Sequence, residues 1–289
     1  MSGQPTSESS RIESLDVFRG FALLGILLLN IIGFGLLSPS YSNPGFDLTH
    51  TGTASLVTWA GVELFAEGAM RCLFSILFGA GVMLFTTGTN ARSGWTHYRR
   101  TFWLLMFGLF DAFVLLWSGD ILVTYALAGA LLYLVRNQSV KALLSFAAAL
   151  VLLMSLLHLM MGFGLNFSYQ AHEQVVAAEA AGELDSISQE QRELALGWED
   201  FIGDFELTDA EVTEELNARS TSYASVFNWN LKKNMELYQF VLPVFLFWDA
   251  LAMMLLGMAL YKAGVLQAER SIAFYTKLMI AGFVVGLPS

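Results

Sequence analysis

Residues 15–37, LDVFRGFALLGILLLNIIGFGLL, form an apolar run longer than the roughly 20 residues a helix needs to cross a bilayer, with its charges confined to one end. Three polar side chains interrupt it: Asp16, Arg19 and Asn30. At 3.6 residues per turn they fall within roughly 60° of one another, with Leu23 and Leu27 between them. Two readings follow. Asp16 and Arg19 can pair at i,i+3 and anchor the helix end at an interface. Alternatively, the polar face lines a functional cavity, and Asn30, roughly 21 Å beyond Asp16, favours this second reading.

Apolar runs of similar length recur, and 55% of the chain is hydrophobic while 14% is charged. Soluble domains carry about 25% charge, so an ordinary water-soluble fold is excluded. The expectation is an all-α fold, a polytopic integral membrane bundle of about seven transmembrane helices. The spans are read at 15–37, 69–85, 101–117, 121–135, 142–165 and 234–261, the last with a kink at Pro243. A seventh run, 271–289, is still apolar where the chain stops, which predicts a shortened chain. The stretch 56–67, with Trp59 and Glu63, reads as an interfacial or broken entry into the second span.

The loop before the second span holds Asp47 and no base, whereas the loop after it holds Arg92, Arg99 and Arg100 and no acid. By the positive-inside rule the basic loop, and with it the amino terminus, is cytoplasmic. Arg136, Lys141, Lys262 and Arg270 then fall on that same side. The opening residues lack a cleavage pattern, so the first span is read as a retained anchor. Four segments result: a cytoplasmic tail (1–14), a first bundle of five helices (15–165), an acidic extracytoplasmic loop with short helices (166–231) and further transmembrane helices (232–289).

The formal charge of −10 is not spread evenly. Residues 166–230 hold 14 Asp/Glu against Arg192 and Arg219, so everything outside that loop sums to +2. Such a distribution argues against nucleic-acid binding. Trp198, Phe201 and Phe205, spaced near one helical turn, predict amphipathic helices over the outer membrane face. The single cysteine, Cys72, permits no disulfide within the chain, and no metal site is expected.

Ionisable groups inside apolar spans are costly, and they are the candidates for function. Glu67 and Arg71 are one turn apart at the mouth of the second span. Asp111 is expected near the middle of the third, with a nearby Arg or a raised pKa to offset its burial. Asp120 reads either as an N-cap of the fourth helix or as a catalytic carboxylate. Asp249 is the counterpart of Asp111 in the sixth span, and His158 reads as hydrogen-bonded packing in the fifth. His50 lies in the first outer loop. Phosphate-loop, zinc-helix and nucleophile-elbow motifs are missing from the sequence.

LDVFRGFALLGILLLN, CLFSILFGAGVMLF, YRRTFWLLMFGLFDAFVLLWSGDILVTYALAGALL and DALAMMLLGMALYKAGVL resemble the YeiB family of bacterial inner-membrane proteins, a group with a domain of unknown function. The resemblance covers nearly the whole chain except the acidic loop. It implies further helices beyond Ser289. The family is similar in fold to transmembrane acyltransferases of the heparan glucosaminide acetyltransferase type, whose opening helix has a comparable LDxxRG pattern. What that implies is acyl transfer from a cytoplasmic acyl-CoA-type donor to an extracytoplasmic acceptor, with no covalently bound cofactor. His50, Asp111 and Asp120 are then the catalytic candidates, and Asp16, Arg19, Asn30, Glu67 and Arg71 the substrate-binding ones. The partners expected are the lipid bilayer and a small-molecule, lipid or glycan substrate. A permease for a small solute or ion, with a relay through Asp111, Asp249 and His158, is the alternative reading.

Overall fold

The computed structural model describes residues 13–41, 43, 52–87, 91–203 and 208–286, and every regular element among them is helical. Helix α1 (Glu13–Gly35) leads into a 3-10 turn at Ser38–Tyr41. Helices α2 (Thr53–Phe65) and α3 (Ala69–Thr86) are separated by a break at which Gly68 takes φ +66°. That positive φ suits glycine, and it makes the broken entry expected of this stretch. Helices α4 (Gly94–Phe113) and α5 (Leu122–Val135) follow, and then α6 (Val140–Ala181), α7 (Gln189–Gly203), α8 (Asp209–Thr221) and α9 (Tyr223–Glu236). A π-helical segment, Leu237–Leu246, joins α9 to α10 (Phe247–Lys262), and α11 is Ile272–Gly286.

Four helical stretches are long and apolar enough to cross a membrane: Leu15–Gly35, Thr53–Thr86, Val140–Ala181 and Tyr223–Lys262. Leu122–Val135 and Ile272–Val284 are apolar but shorter. Helix α1 shows its leucines (Leu23, Leu24, Leu27, Leu28) on the surface, as does α6 with Leu152 and Leu153. A lipid-facing helix needs no polar exterior because its backbone is satisfied internally. This is a helical membrane protein.

Helix α10 sits at the centre, packed on α3, α5 and α6. Met83, Tyr125, Leu132, Leu143, Met254 and Met258 fill the space between them. Its contact with α3 is nearly backbone to backbone. A Cβ on Gly79 would lie 2.0 Å from the Met254 carbonyl oxygen, and one on Gly257 would lie 1.9 Å from that of Ile76. Close approach of this kind is how helices associate where the surrounding lipid is as apolar as the side chains.

Neighbouring contacts fix the direction of each helix. Gly25 meets Met70 and Gly81 meets Arg19, so α1 and α3 run oppositely; Gly94 meets Tyr133 and Gly108 meets Val123, so α4 and α5 do too. One end of the bundle, the basic end, therefore gathers Arg19, Arg99, Arg100, Arg136, Lys141 and Lys262. The far end carries α8 and α9.

Three expected boundaries shift. Helix α4 begins at Gly94 rather than 101, because the Ser93 hydroxyl accepts the Thr96 N–H and caps it. It also ends earlier, so Asp111 lies in its last turn and not mid-span. Helix α6 continues past 165 to Ala181, about 63 Å in all, and half of it outreaches a hydrocarbon core of about 30 Å. Polarity rises after Asn166, but Ala, Glu and Gln sustain the helix until Gly182, at φ +73°. Pro243 falls within the π-helical segment, where wider turns absorb its missing N–H. Replacing Gly79 or Gly257 by Ala is expected to cost about 2 kcal/mol each through overpacking. Gly162→Ala, with nothing within 4 Å of its Cβ, is expected to leave thermal unfolding in detergent unchanged.

Candidate functional site

The polar residues of the spans gather in three groups. At the basic end Arg19 pairs with Asp16 at 3.3 Å, as the i,i+3 spacing predicts. The bare face of Gly81 on α3 lets the guanidinium lie close, since a Cβ there would sit 3.0 Å from Nη2. Arg100 of α4 stands over the Phe85 ring at 4.2 Å, and it is near enough to Arg19 for the two like charges to interact. Two guanidiniums thus share one neighbourhood in which Asp16 is the acid that pairs.

The second group lies where α3 begins. Arg71 is 3.8 Å from Glu67, and its Nε is 4.0 Å from Asp249 Oδ2, too long for a hydrogen bond. Asp249 therefore meets Arg71 and does not mirror Asp111 as a free carboxylate. Tyr41, from the turn after α1, donates its hydroxyl to Glu67 at 2.6 Å. Burial, reinforced by that bond, pushes the Tyr41 phenol well above its ordinary range. Tyr125 and Ser75 share a hydrogen bond of 2.5 Å a turn below, and half-buried Cys72 feels the charges of Asp249, Arg71 and Glu67.

The third group is at the far end. Asp120 accepts the N–H groups of Leu122 (3.0 Å) and Val123 (3.0 Å), so it caps α5 as one of its two readings required. It is 5% exposed. Gly108 of α4 passes so close that a Cβ would lie 2.9 Å from Asp120 Oδ2. Asp111, one turn further along α4, interacts with Asp120, and no Arg is among the groups acting on it, so a nearby base is not how its burial is offset. Tyr238 faces both carboxylates and packs on Phe113, ring centroids 5.7 Å apart.

Helices α8 and α9 hold this end together. Arg219 donates to the carbonyls of Leu36 (2.6 Å), Gly33 and Phe34, which are orphan acceptors at the C-terminus of α1. Glu215, 1% exposed, accepts from the Ser38 N–H and hydroxyl and from Arg219 at 3.1 Å. Helix α9 treats the end of α4 alike: Asn234 donates to Ala112, Tyr223 to Val114 and Asn230 to Leu116. Two clefts open here, of about 720 Å³ between α8 and α9 and about 400 Å³ between α6 and α7. The first is lined by Asn217, Asn228, Trp229 and Lys232 among others, and neither is lined by Arg19, Asn30, Arg71 or Asp111.

Asn30 is half-buried on α1, and His50 lies outside the described residues. His158 bonds the Met154 carbonyl of its own helix at 2.7 Å, the packing role its sequence context suggests. His97 was not singled out by sequence, yet it is buried, bonds the Gly129 carbonyl at 3.0 Å and stacks on Tyr133. Its signal was a histidine just inside a Ser-capped helix start. Among the described residues no cluster of three or more His, Cys, Asp or Glu is placed to hold a metal.

With a helical membrane fold and these polar groups in place, likeness to known proteins becomes informative. The chain is similar to YeiB of Escherichia coli, with 40% identity over 142 residues that cover 48% of this chain and 35% of that one. It is also similar to YxaH of Bacillus subtilis (32% over 201 residues, 65% and 50%) and to a 39.9 kDa protein encoded beside an amylase in Bacillus acidopullulyticus (34% over 131 residues, 44% and 35%). These likenesses bear out the resemblance to the YeiB family. The chain spans half or less of the length of these curated relatives, which are themselves described as uncharacterised. No family model matches it, and no solved structure does.

Two predictions follow from the far end. Arg219→Ala strands the buried Glu215 charge and should cost about 3 kcal/mol in thermal unfolding. Adding Glu215→Gln should recover part of that loss, a coupling readable in a double-mutant cycle. Glu211 closes the capping box of α8 by accepting from the Thr208 N–H and hydroxyl, bonds that hold its carboxylate below the ordinary range. A depressed folded-state pKa contributes stability above the unfolded value near 4.5, lost as pH falls through the lower folded one. The acid limb of an α8 unfolding probe should therefore flatten in Glu211→Gln.

Proposed function

We propose that the chain is part of a bacterial inner-membrane acyltransferase that passes an acyl group from a cytoplasmic acyl-CoA-type thioester to an extracytoplasmic acceptor. In this reading α1, α3, α4, α5, α6, the π segment with α10, and α11 make seven crossings. The positive-inside rule puts the basic end and the amino terminus in the cytoplasm. The observation that carries the proposal is Arg19 lying against Gly81 with Arg100, over Phe85, near enough to feel its charge, two guanidiniums suited to the phosphates of the donor.

Transfer requires an acceptor oxygen or nitrogen to attack the thioester carbonyl carbon as the carbon–sulfur bond breaks and the thiolate leaves. A base takes the acceptor's proton. On this orientation Asp111 and Asp120 would face the extracytoplasmic side for that task, with Asp111 keeping its carboxylate free of capping bonds, and His50 in the loop before α2 is the further candidate from the sequence. Glu67, Arg71 and Asn30 are the further substrate-binding candidates in this reading.

A second reading, a permease, is favoured by one feature: the Glu67–Arg71–Asp249 group lies within apolar helices, as ion pathways do. The test separates the two. Purified protein should bind acetyl-CoA and release free thiol in the presence of an acceptor, and Arg19→Gln should weaken donor binding at least about 10-fold, the loss of one charge-assisted bond. No binding of any thioester, together with solute uptake into proteoliposomes that vanishes in Arg71→Gln, would replace this proposal with the permease.

A further inference from the structure

Helices α8 and α9 form a hairpin that turns at Ser222, yet the faces lining the space between them are not built to pack. The α8 wall presents Thr213, Glu214, Asn217 and Thr221, which at 3.6 residues per turn share roughly 100° of helix face. The α9 wall presents Asn228, Trp229 and Lys232. Helical hairpins ordinarily close on apolar stripes. Here Trp229 is the one large apolar side chain among the lining residues, and a cleft of about 720 Å³ stays open. What positions the walls is bonding elsewhere. Arg219 and Glu215 fasten α8 to the end of α1, while Tyr223, Asn230 and Asn234 fasten α9 to the end of α4. The transmembrane helices therefore set the gap, and a preformed site loses little ordering entropy on binding. Its volume falls within the range of about 300–1,000 Å³ typical of small-ligand sites.

The lining specifies the chemistry of an occupant. Thr213 and Thr221 give their hydroxyl protons to their own helix, at the Asp209 (2.8 Å) and Asn217 (2.5 Å) carbonyls, and keep only acceptor lone pairs for a ligand. Glu214 also accepts, Lys232 donates, and the Asn217 and Asn228 amides do both. Among the described residues, none of these last four side chains has a hydrogen bond or ion pair. A ligand that meets donors and acceptors so mixed needs groups that themselves donate and accept. A hydroxyl does both, whereas a carboxylate only accepts and an ammonium only donates. Glu214 and Lys232 cancel, so the lining is neutral although residues 166–230 hold 14 acids to two bases. Trp229, with Lys233 Nζ 4.9 Å from its ring centroid, adds a flat apolar surface that suits the C–H face of a saturated ring.

We propose that the α8–α9 cleft binds a neutral saccharide, with a sugar ring against Trp229 and the ring hydroxyls shared among Asn217, Asn228, Glu214 and Lys232. The inference goes beyond acyl transfer: binding needs neither a thioester nor a base, and it stands equally for a permease.

The experiment is calorimetric titration of the purified protein in an amine-oxide detergent, whose headgroup is not a sugar. The probes are maltotriose, cellotriose and chitotriose, with triglycine and phosphocholine as zwitterionic comparisons and no thioester present. At least one trisaccharide is expected to saturate with a Kd of about 1 mM or below. Asn217→Ala and Asn228→Ala should each weaken it about 10-fold, the worth of one hydrogen bond, and Trp229→Ala at least as much. Gln174→Ala, in the α6–α7 cleft, should bind as the unaltered chain does. The proposal is overturned if none of the three trisaccharides saturates, or if triglycine or phosphocholine binds more tightly than all of them. It is overturned equally if the Asn217, Asn228 and Trp229 variants all bind as the unaltered chain does. The two asparagine side chains are exposed and make no bond within the protein, so their replacement leaves the test intact even where Trp229→Ala misfolds.

Discussion

The last four carbonyls of a helix have no partner within it, and hydrocarbon supplies no water to take their place. Where α1 and α4 end at the far side of the bundle, side chains from one distant stretch of sequence fill that role. Arg219 reaches the carbonyls of Gly33 and Phe34 in α1 and of Leu36 just past it, while Asn234 reaches Ala112 in α4 and Tyr223 and Asn230 reach Val114 and Leu116 just beyond its end. At the neighbouring N-terminus of α5 the need is for acceptors, and Asp120 provides two. The acidic segment is thus tied down by the ends of the helices it covers, and its position follows from their unmet hydrogen bonds.

The same shortage of alternatives shapes the interior. Packing rather than exclusion from water must hold α3 to α10, and it does so through Gly79 and Gly257, each lying under the backbone of the other helix. That contact sets Asp249 opposite Arg71, so a structural crossing also assembles the charged group at the start of α3. A local choice of glycine and a long-range ion pair are two consequences of one geometry.

What could be read from the sequence divides along this line. The apolar runs, the break before α3, the Asp16–Arg19 and Glu67–Arg71 pairs and the α5 cap are all local, and spacing alone revealed them. The Asp249–Arg71 contact and the Asp111–Asp120–Tyr238 group join residues far apart in the chain, and periodicity says nothing about such meetings. The limits of α4 and α6 do not coincide with the changes in polarity along the sequence; Ser93 and Gly182 mark them instead. Arg219 was legible in principle. It is one of two bases among 14 acids in its segment, and it stands at i,i+4 from Glu215, a pattern that asks what the pair is for.

The charges also follow an order along the bundle. The basic end holds Arg19 and Arg100 against Asp16, an excess of positive charge. The group around Arg71 has two acids to one base, and the far group has two carboxylates with no base among the described residues acting on Asp111. A carrier of one solute works best when the same site, with the same preference, opens to each side in turn. A gradient from cationic to anionic groups offers different chemistry at the two faces. It can hold an anionic donor at one and a proton acceptor at the other. That asymmetry supports the proposed group transfer over passage of an unchanged solute.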